Sequence, residues 1–133
     1  MSESSHFKEL LNYATRIGVQ AKFEGTEKAQ MENLLASLEM VEDPESCLLV
    51  TAAYAHRQSS RGRIGWRTAR LINEAMNWLY KQDIKKEEKR VEGRKLLGLA
   101  KWIYECLEKE RITLQKERIK ELTLEEFLEK LRG

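Results

Sequence analysis

The sequence contains little proline, cysteine or histidine, and it has no long apolar run. It holds one proline, two cysteines and two histidines among 133 residues. Two cysteines are too few for a disulfide scaffold, and no signal peptide opens the chain, so we expect a cytoplasmic protein. No apolar run approaches the roughly 18–20 residues that cross a bilayer, which excludes a membrane-spanning protein.

Signatures of catalysis are also missing. The sequence has no glycine-rich phosphate loop, no nucleophile elbow and no HExxH zinc motif. Neither histidine, His6 or His56, lies near a cysteine at the spacing of metal ligands. We therefore expect a non-catalytic protein that uses no metal or other cofactor.

What the sequence does contain favours helix along the whole chain. Charged residues make up 35% and hydrophobic residues 41%, with abundant Glu, Lys, Leu and Ala. The apolar residues recur at helical spacing, and strand-like alternation is absent. This helical spacing predicts an all-α fold, and a chain of this length buries enough surface for one core. It is a compact bundle of five to seven helices in a single domain spanning residues 1–133.

Local signals predict where the helices begin and end. The first helix is expected over about Ser5–Lys22, with Thr26 capping the second helix. The third begins near Cys47, is apolar almost all round and is predicted to be the central helix. Two glycines beside two serines predict a break in the segment from His56 to Gly65. A fourth helix then begins near Trp66, and a long fifth helix has a pattern that extends towards Glu121.

The last helix has the clearest predicted start. Thr123-Leu124-Glu125-Glu126 is a capping box, and Leu122 and Phe127 are placed to form its hydrophobic staple. Asp43 and Pro44 similarly suit the N-cap and the first residue of the third helix.

The charge is distributed unevenly along the chain. Residues 1–45 carry four basic and nine acidic side chains, whereas residues 46–73 carry five arginines and no acid, within a net charge of +2. These five arginines, here named the arginine cluster, are Arg57, Arg61, Arg63, Arg67 and Arg70.

The arginine cluster and Trp66 are the candidate binding residues. If Arg63 lies on the first turn of the fourth helix, Arg63, Arg67 and Arg70 share one face. Like charges at this spacing destabilise a helix, so we expect that the protein needs this positive surface. Gly65 and its neighbours offer backbone donors at a helix N-terminus, and Trp66 can stack on a base. The segment therefore predicts sequence-independent binding to a phosphate backbone.

Two other interpretations stay open at this point. The arginines can pair with the acidic surface of residues 1–45, within the molecule or on a partner subunit. If they dock an acidic helix of a partner protein, the protein is a helical adaptor. Residues 46–81 can instead form a helix-turn-helix that binds DNA. The second basic group, from Lys85 to Lys95, suits a solvated helix face, although Arg94 and Lys95 can extend the arginine surface.

Part of the chain resembles a known family. Ala53-Tyr54-Ala55-His56-Arg57-Gln58, then a basic helix, then Lys101-Trp102-Ile103-Tyr104-Glu105 is similar to the small helical subunit of type III CRISPR effector complexes, over roughly residues 48–108. This resemblance implies a bundle that stacks in several copies within an RNA-guided antiviral ribonucleoprotein complex. It implies contacts to the backbone of the crRNA and target RNA, while other subunits cut. Arg57 matches the arginine of the motif, whereas the other four arginines come from charge clustering alone.

Overall fold

Helices form almost all of the regular structure. A computed structural model describes residues 3–133, with side chains from Ser5 onward. Within this range there are six α-helices, one short 3-10 helix (η1) and no strand, which confirms the predicted all-α, single-domain bundle. The elements are α1 (Glu3–Phe23), α2 (Lys28–Ser37), α3 (Ser46–Ser60), α4 (Trp66–Tyr80), α5 (Lys86–Cys106), η1 (Lys116–Glu121) and α6 (Leu124–Arg132). None of the helices in this range combines the length and the hydropathy of a segment that crosses a bilayer.

The core is built around α1, which contacts α4, α5, η1 and α6. Ala14 and Ile17 are fully buried, as the helical spacing predicts, and Val19 on another side of the helix is also fully buried. Gly18 lets α5 come close, because a Cβ atom there would lie 2.5 Å from the carbonyl oxygen of Ala100. The middle of α1 is therefore surrounded by protein.

The predicted central position of α3 is wrong. Leu49 is 43% exposed, and Ala53 is also exposed, so α3 buries only one side, mainly against α4. Apolar residues on both sides of a helix allow burial on both sides, but burial also requires other helices to pack there. In this protein most of the other helices pack around α1 instead.

The break predicted in the segment from His56 to Gly65 is confirmed, and it lies at residues 61–65, because α3 first continues to Ser60. The buried side chain of Gln58 explains this: its Nε2 donates to Oε1 of Gln30 at 2.9 Å. This hydrogen bond holds the last turn of α3 against α2, and α3 therefore continues through its polar last residues. The helix ends where Gly62 adopts a left-handed φ of 73°, which favours glycine.

Two further predicted boundaries differ from the structure. The fifth helix ends at Cys106 and does not extend towards Glu121, because residues 108–111 are all charged and exposed and bury no apolar side chain in the core. Thr26 does not cap α2, since Glu27 occupies the N-cap position and the Thr26 hydroxyl is buried without a partner among the described residues. Instead, the carbonyl oxygen of Thr26 accepts a hydrogen bond from the hydroxyl of Tyr104 at 2.5 Å.

The start of α6 is as predicted. Thr123 is the N-cap residue, and its Oγ1 accepts a hydrogen bond from the backbone N–H of Glu126 at 3.1 Å. Leu122 and Phe127, the two residues of the predicted staple, are both fully buried. A local motif therefore predicted this boundary, because all of its interactions lie within six residues.

Candidate nucleic-acid interface

The arginine cluster lies on a helical hairpin formed by α3 and α4. Residues 61–65 connect the two helices, and Nδ2 of Asn73 lies 3.1 Å from Nε2 of His56 between them. The turn is a Schellman motif, in which the N–H of Arg63 donates to the carbonyl of Gln58 at 2.9 Å and Gly62 is left-handed. Ile64 is buried and anchors this turn to the core.

All five arginines are exposed at this end of the hairpin. Arg57 lies in the last turn of α3, and Arg61 is its C-cap residue, while Arg67 and Arg70 lie near the start of α4. Arg63 is in the connecting turn, so the prediction that it shares a helical face with Arg67 and Arg70 is wrong. The Schellman motif is the reason, because it places Arg63 outside both helices.

The arginine cluster forms no ion pair within the described part of the chain. None of the five lies within 4.0 Å of a carboxylate oxygen there. Two acidic residues of the first third pair with α5 instead: Glu32 with Lys101 at 3.4 Å, and Glu39 with Arg94 at 2.7 Å. The intramolecular form of the pairing hypothesis is therefore wrong.

The second basic group attaches α5 to the rest of the bundle. Lys89 is only 4% exposed, and its Nζ donates to the carboxylate of Glu45 at 3.1 Å and to the carbonyl of Tyr80. This lysine was expected on a solvated face. Burial of a lysine is possible here because a carboxylate and a carbonyl compensate its charge and its donors.

Arg94 and Lys95 do not extend the arginine surface. Arg94 makes two hydrogen bonds to the carboxylate of Glu39, at 2.9 and 2.7 Å, and Lys95 pairs with Glu92 at 3.1 Å. The hydrogen bonds with Arg94 hold the pKa of Glu39 below its usual value. Both cations are thus engaged with carboxylates of the same molecule.

Trp66 organises two members of the arginine cluster. Its side chain is 53% exposed, and the guanidinium carbons of Arg67 and Arg70 lie 4.7 and 5.5 Å from the centre of its ring. Each such cation–π contact at an exposed site contributes about 0.5–1 kcal/mol. The indole therefore holds two guanidinium groups near each other without neutralising them.

The N-terminus of α4 is not an open anion site. The backbone N–H and the hydroxyl of Thr68 both donate to Oε1 of Glu24, at 2.9 and 2.6 Å. A Cβ atom on Gly65 would lie 2.2 Å from the carboxyl carbon of Glu24. The prediction that Gly65 and the helix end receive a phosphate is therefore wrong, because a carboxylate from the end of α1 already lies there.

A groove of about 470 Å³ lies beside Trp66, between α4 and η1. Its lining residues come from α1, α4 and η1, and they are Gln20, Trp66, Arg67, Arg70, Leu71, Glu74, Lys116, Glu117, Lys120 and Glu121. Lys116 and Lys120 could not be predicted as part of this site, because more than 40 residues separate them from the arginine cluster. No local pattern shows that η1 lies next to α4.

A second surface was also missed. Trp102 is 68% exposed and Phe7 is exposed too, and both line an apolar groove between α1 and α5. Helical spacing of aromatic residues usually indicates core, but on α5 the buried positions are taken by residues such as Leu96 and Ala100. The described residues contain no group of three side chains that could hold a metal ion.

Comparisons with known proteins identify no relative. A scan against protein-family models gives no match. Searches of curated proteins and of solved structures give none either.

Proposed function

We propose that the protein is a non-catalytic, cytoplasmic RNA-binding subunit that contacts the RNA backbone through the arginine cluster. On the sequence resemblance, it belongs to an RNA-guided antiviral complex of type III, with the other subunits and copies of itself as further partners. The observation that carries the proposal is the set of five exposed arginines that have no carboxylate partner among the residues the structure describes.

The chemistry of these side chains favours phosphate as the ligand. Guanidinium groups present several donors in a planar arrangement that suits the oxygens of a phosphate. Arg67 and Arg70 are held on Trp66, so less side-chain freedom is lost when they bind. The remaining arginines lie along the same end of the hairpin and suit successive phosphates of one strand.

The first experiment is a titration of labelled oligouridylate of about ten nucleotides, followed by fluorescence anisotropy. We expect an affinity that falls steeply between about 50 and 200 mM salt, with a slope of about −0.7 for each phosphate contacted. An affinity that does not depend on salt contradicts the proposal. Tighter binding to one palindromic DNA duplex than to RNA or random DNA supports the helix-turn-helix alternative instead.

The matched variants are Arg63→Glu/Arg67→Glu and the control Arg111→Glu/Arg132→Glu, which changes the net charge equally. All four side chains are exposed and form no ion pair with any described residue, so we expect unchanged helicity in both proteins. The first variant is expected to lose at least about tenfold in affinity, because two charge-assisted contacts are replaced by repulsion. Equal losses in the two variants, or none, disprove the assignment. Binding of an acidic helical peptide without any RNA binding would favour the adaptor.

A further inference from the structure

The groove between α4 and η1 is lined by a glutamine residue, Gln20, that is mostly buried. Gln20 is only 4% exposed and lines the groove, and within the described residues its side chain makes no hydrogen bond. Its side chain offers both a donor and an acceptor, which is the pattern that the edge of a nucleobase requires.

The charges around the groove are nearly balanced. Four cations line it, namely Arg67, Arg70, Lys116 and Lys120, together with three carboxylates, namely Glu74, Glu117 and Glu121. One excess positive charge does not attract a run of many phosphates. It suits a ligand that carries a single phosphate and a polar, uncharged portion.

The size and the walls of the groove agree with such a ligand. Its volume of about 470 Å³ lies within the range of roughly 300–1,000 Å³ that is usual for small-molecule sites. Leu71 and Gln20 lie on the α4 and α1 sides, whereas Arg67 and Arg70 continue directly into the arginine cluster. A strand held by the cluster therefore has a path to the groove.

We propose that the groove takes one unpaired nucleotide of the RNA strand that the arginine cluster holds. The edge of the base pairs with the amide of Gln20, and the phosphate of that nucleotide contacts Arg67, Arg70 and the two lysines of η1. This inference rests on the proposed function and adds a substrate class, single-stranded RNA. Bases within a duplex are already paired and cannot enter.

The test compares an oligouridylate single strand with an RNA duplex that carries about the same number of phosphates. Contact with the backbone alone predicts binding to the duplex that is at least as tight, because a duplex has the higher charge density. We expect the wild-type protein to bind the single strand more tightly. Gln20→Met, which keeps the side-chain volume but removes the amide, is expected to weaken single-strand binding about threefold to tenfold and to leave duplex binding unchanged.

A second pair of variants keeps the test valid if Gln20→Met does not fold. Lys116→Glu/Lys120→Glu changes two exposed side chains of the groove, and Lys85→Glu/Lys86→Glu is the control of equal charge on two exposed residues at the start of α5. We expect only the former to reduce the preference for the single strand.

The outcomes separate the two proposals. If the wild-type protein binds neither RNA, the proposed function fails. If it binds both equally, and Arg63→Glu/Arg67→Glu abolishes binding while Gln20→Met and the Lys116/Lys120 variant change nothing, RNA binding stands and the groove proposal is overturned.

Discussion

Glu24, one residue after the end of α1, caps α4 by accepting two hydrogen bonds from Thr68, one from its backbone N–H and one from its hydroxyl. The N-cap residue of α4 is Gly65, which has no side chain to do this. A helix N-terminus carries partial positive charge and free N–H groups, so a carboxylate is well suited to it. This contact fixes the start of α4, and hence the positions of Arg67 and Arg70.

Replacement of Glu24 is expected to destabilise the fold. In Glu24→Ala both groups of Thr68 lose their acceptor, and Thr68 itself is fully buried. We expect a loss of about 1–3 kcal/mol in the free energy of unfolding, measured with urea. Glu27→Ala is the control, because Glu27 is exposed and its side chain makes no capping hydrogen bond. Equal losses in the two variants would show that the cap contributes nothing.

Gly65→Ala is expected to act through the same contact. The φ of −66° at this position suits any residue, so the cost comes from the new Cβ atom, which would meet the carboxylate of Glu24. We expect a loss similar to that of Glu24→Ala, and almost no further loss when Gly65→Ala is added to Glu24→Ala. The control is Gly98→Ala in α5, which has open space and should stabilise the helix by about 0.5–1 kcal/mol. Additive losses in the double variant would contradict this explanation.

Asp43 is expected to make stability depend on pH in the acidic range. Oδ2 of Asp43 accepts a hydrogen bond from the N–H of Ser46 at 2.7 Å, and the hydrogen bonds from Ser46 hold the pKa of this carboxyl below its ordinary value of 3.8. A carboxyl whose pKa is lower in the folded state stabilises the fold above its ordinary pKa, and this contribution is lost as the pH falls through the folded value. Asp43→Ala should therefore be less stable than the wild type at neutral pH.

The difference between Asp43→Ala and the wild type should narrow as the pH falls below about 4. Urea unfolding at several pH values measures it, with Glu42→Ala as a control at an exposed neighbouring position that makes no cap. A difference that stays constant down to the most acidic pH would refute this role for the carboxylate.

Trp66 is expected to position arginines and not to stack on bases. In Trp66→Leu the guanidinium groups of Arg67 and Arg70 lose their cation–π contacts, so we expect the affinity for oligouridylate to fall about fivefold. If positioning is the role, the loss is the same for oligouridylate and for inorganic polyphosphate, which has no bases. A loss confined to oligouridylate would indicate stacking. Trp102→Leu, which removes an exposed tryptophan from another helix, should change neither affinity.

Features with local causes could be predicted from the sequence. The start of α6 at Thr123 depends on a side chain and an N–H three residues apart, and its staple is equally local. Where a distant partner decides the outcome, local signals were not enough: they predicted a break between His56 and Gly65, but the end of α3 at Ser60 depends on the contact of Gln58 with Gln30, 28 residues away.

The candidate site also has one part that the sequence predicts and one part that depends on the fold. Its five arginines are evident as a run of like charge without acid, but whether they are neutralised depends on which carboxylates the fold brings near. The fold directs Glu39 and Glu45 to Arg94 and Lys89, and it places Glu24 against α4. No spacing rule predicts such pairs, because residues 44 or more positions apart form them.

Composition and periodicity alone determined that this chain is helical and has one core, since these depend on backbone propensity and on the burial of apolar stripes. They also determined where its positive charge is concentrated. Only the tertiary structure decided that α1 is the central helix, that a carboxylate closes the N-terminus of α4, and that η1 forms a groove with α4. These are contacts between distant segments, and their free energy depends on which surfaces meet when the helices pack.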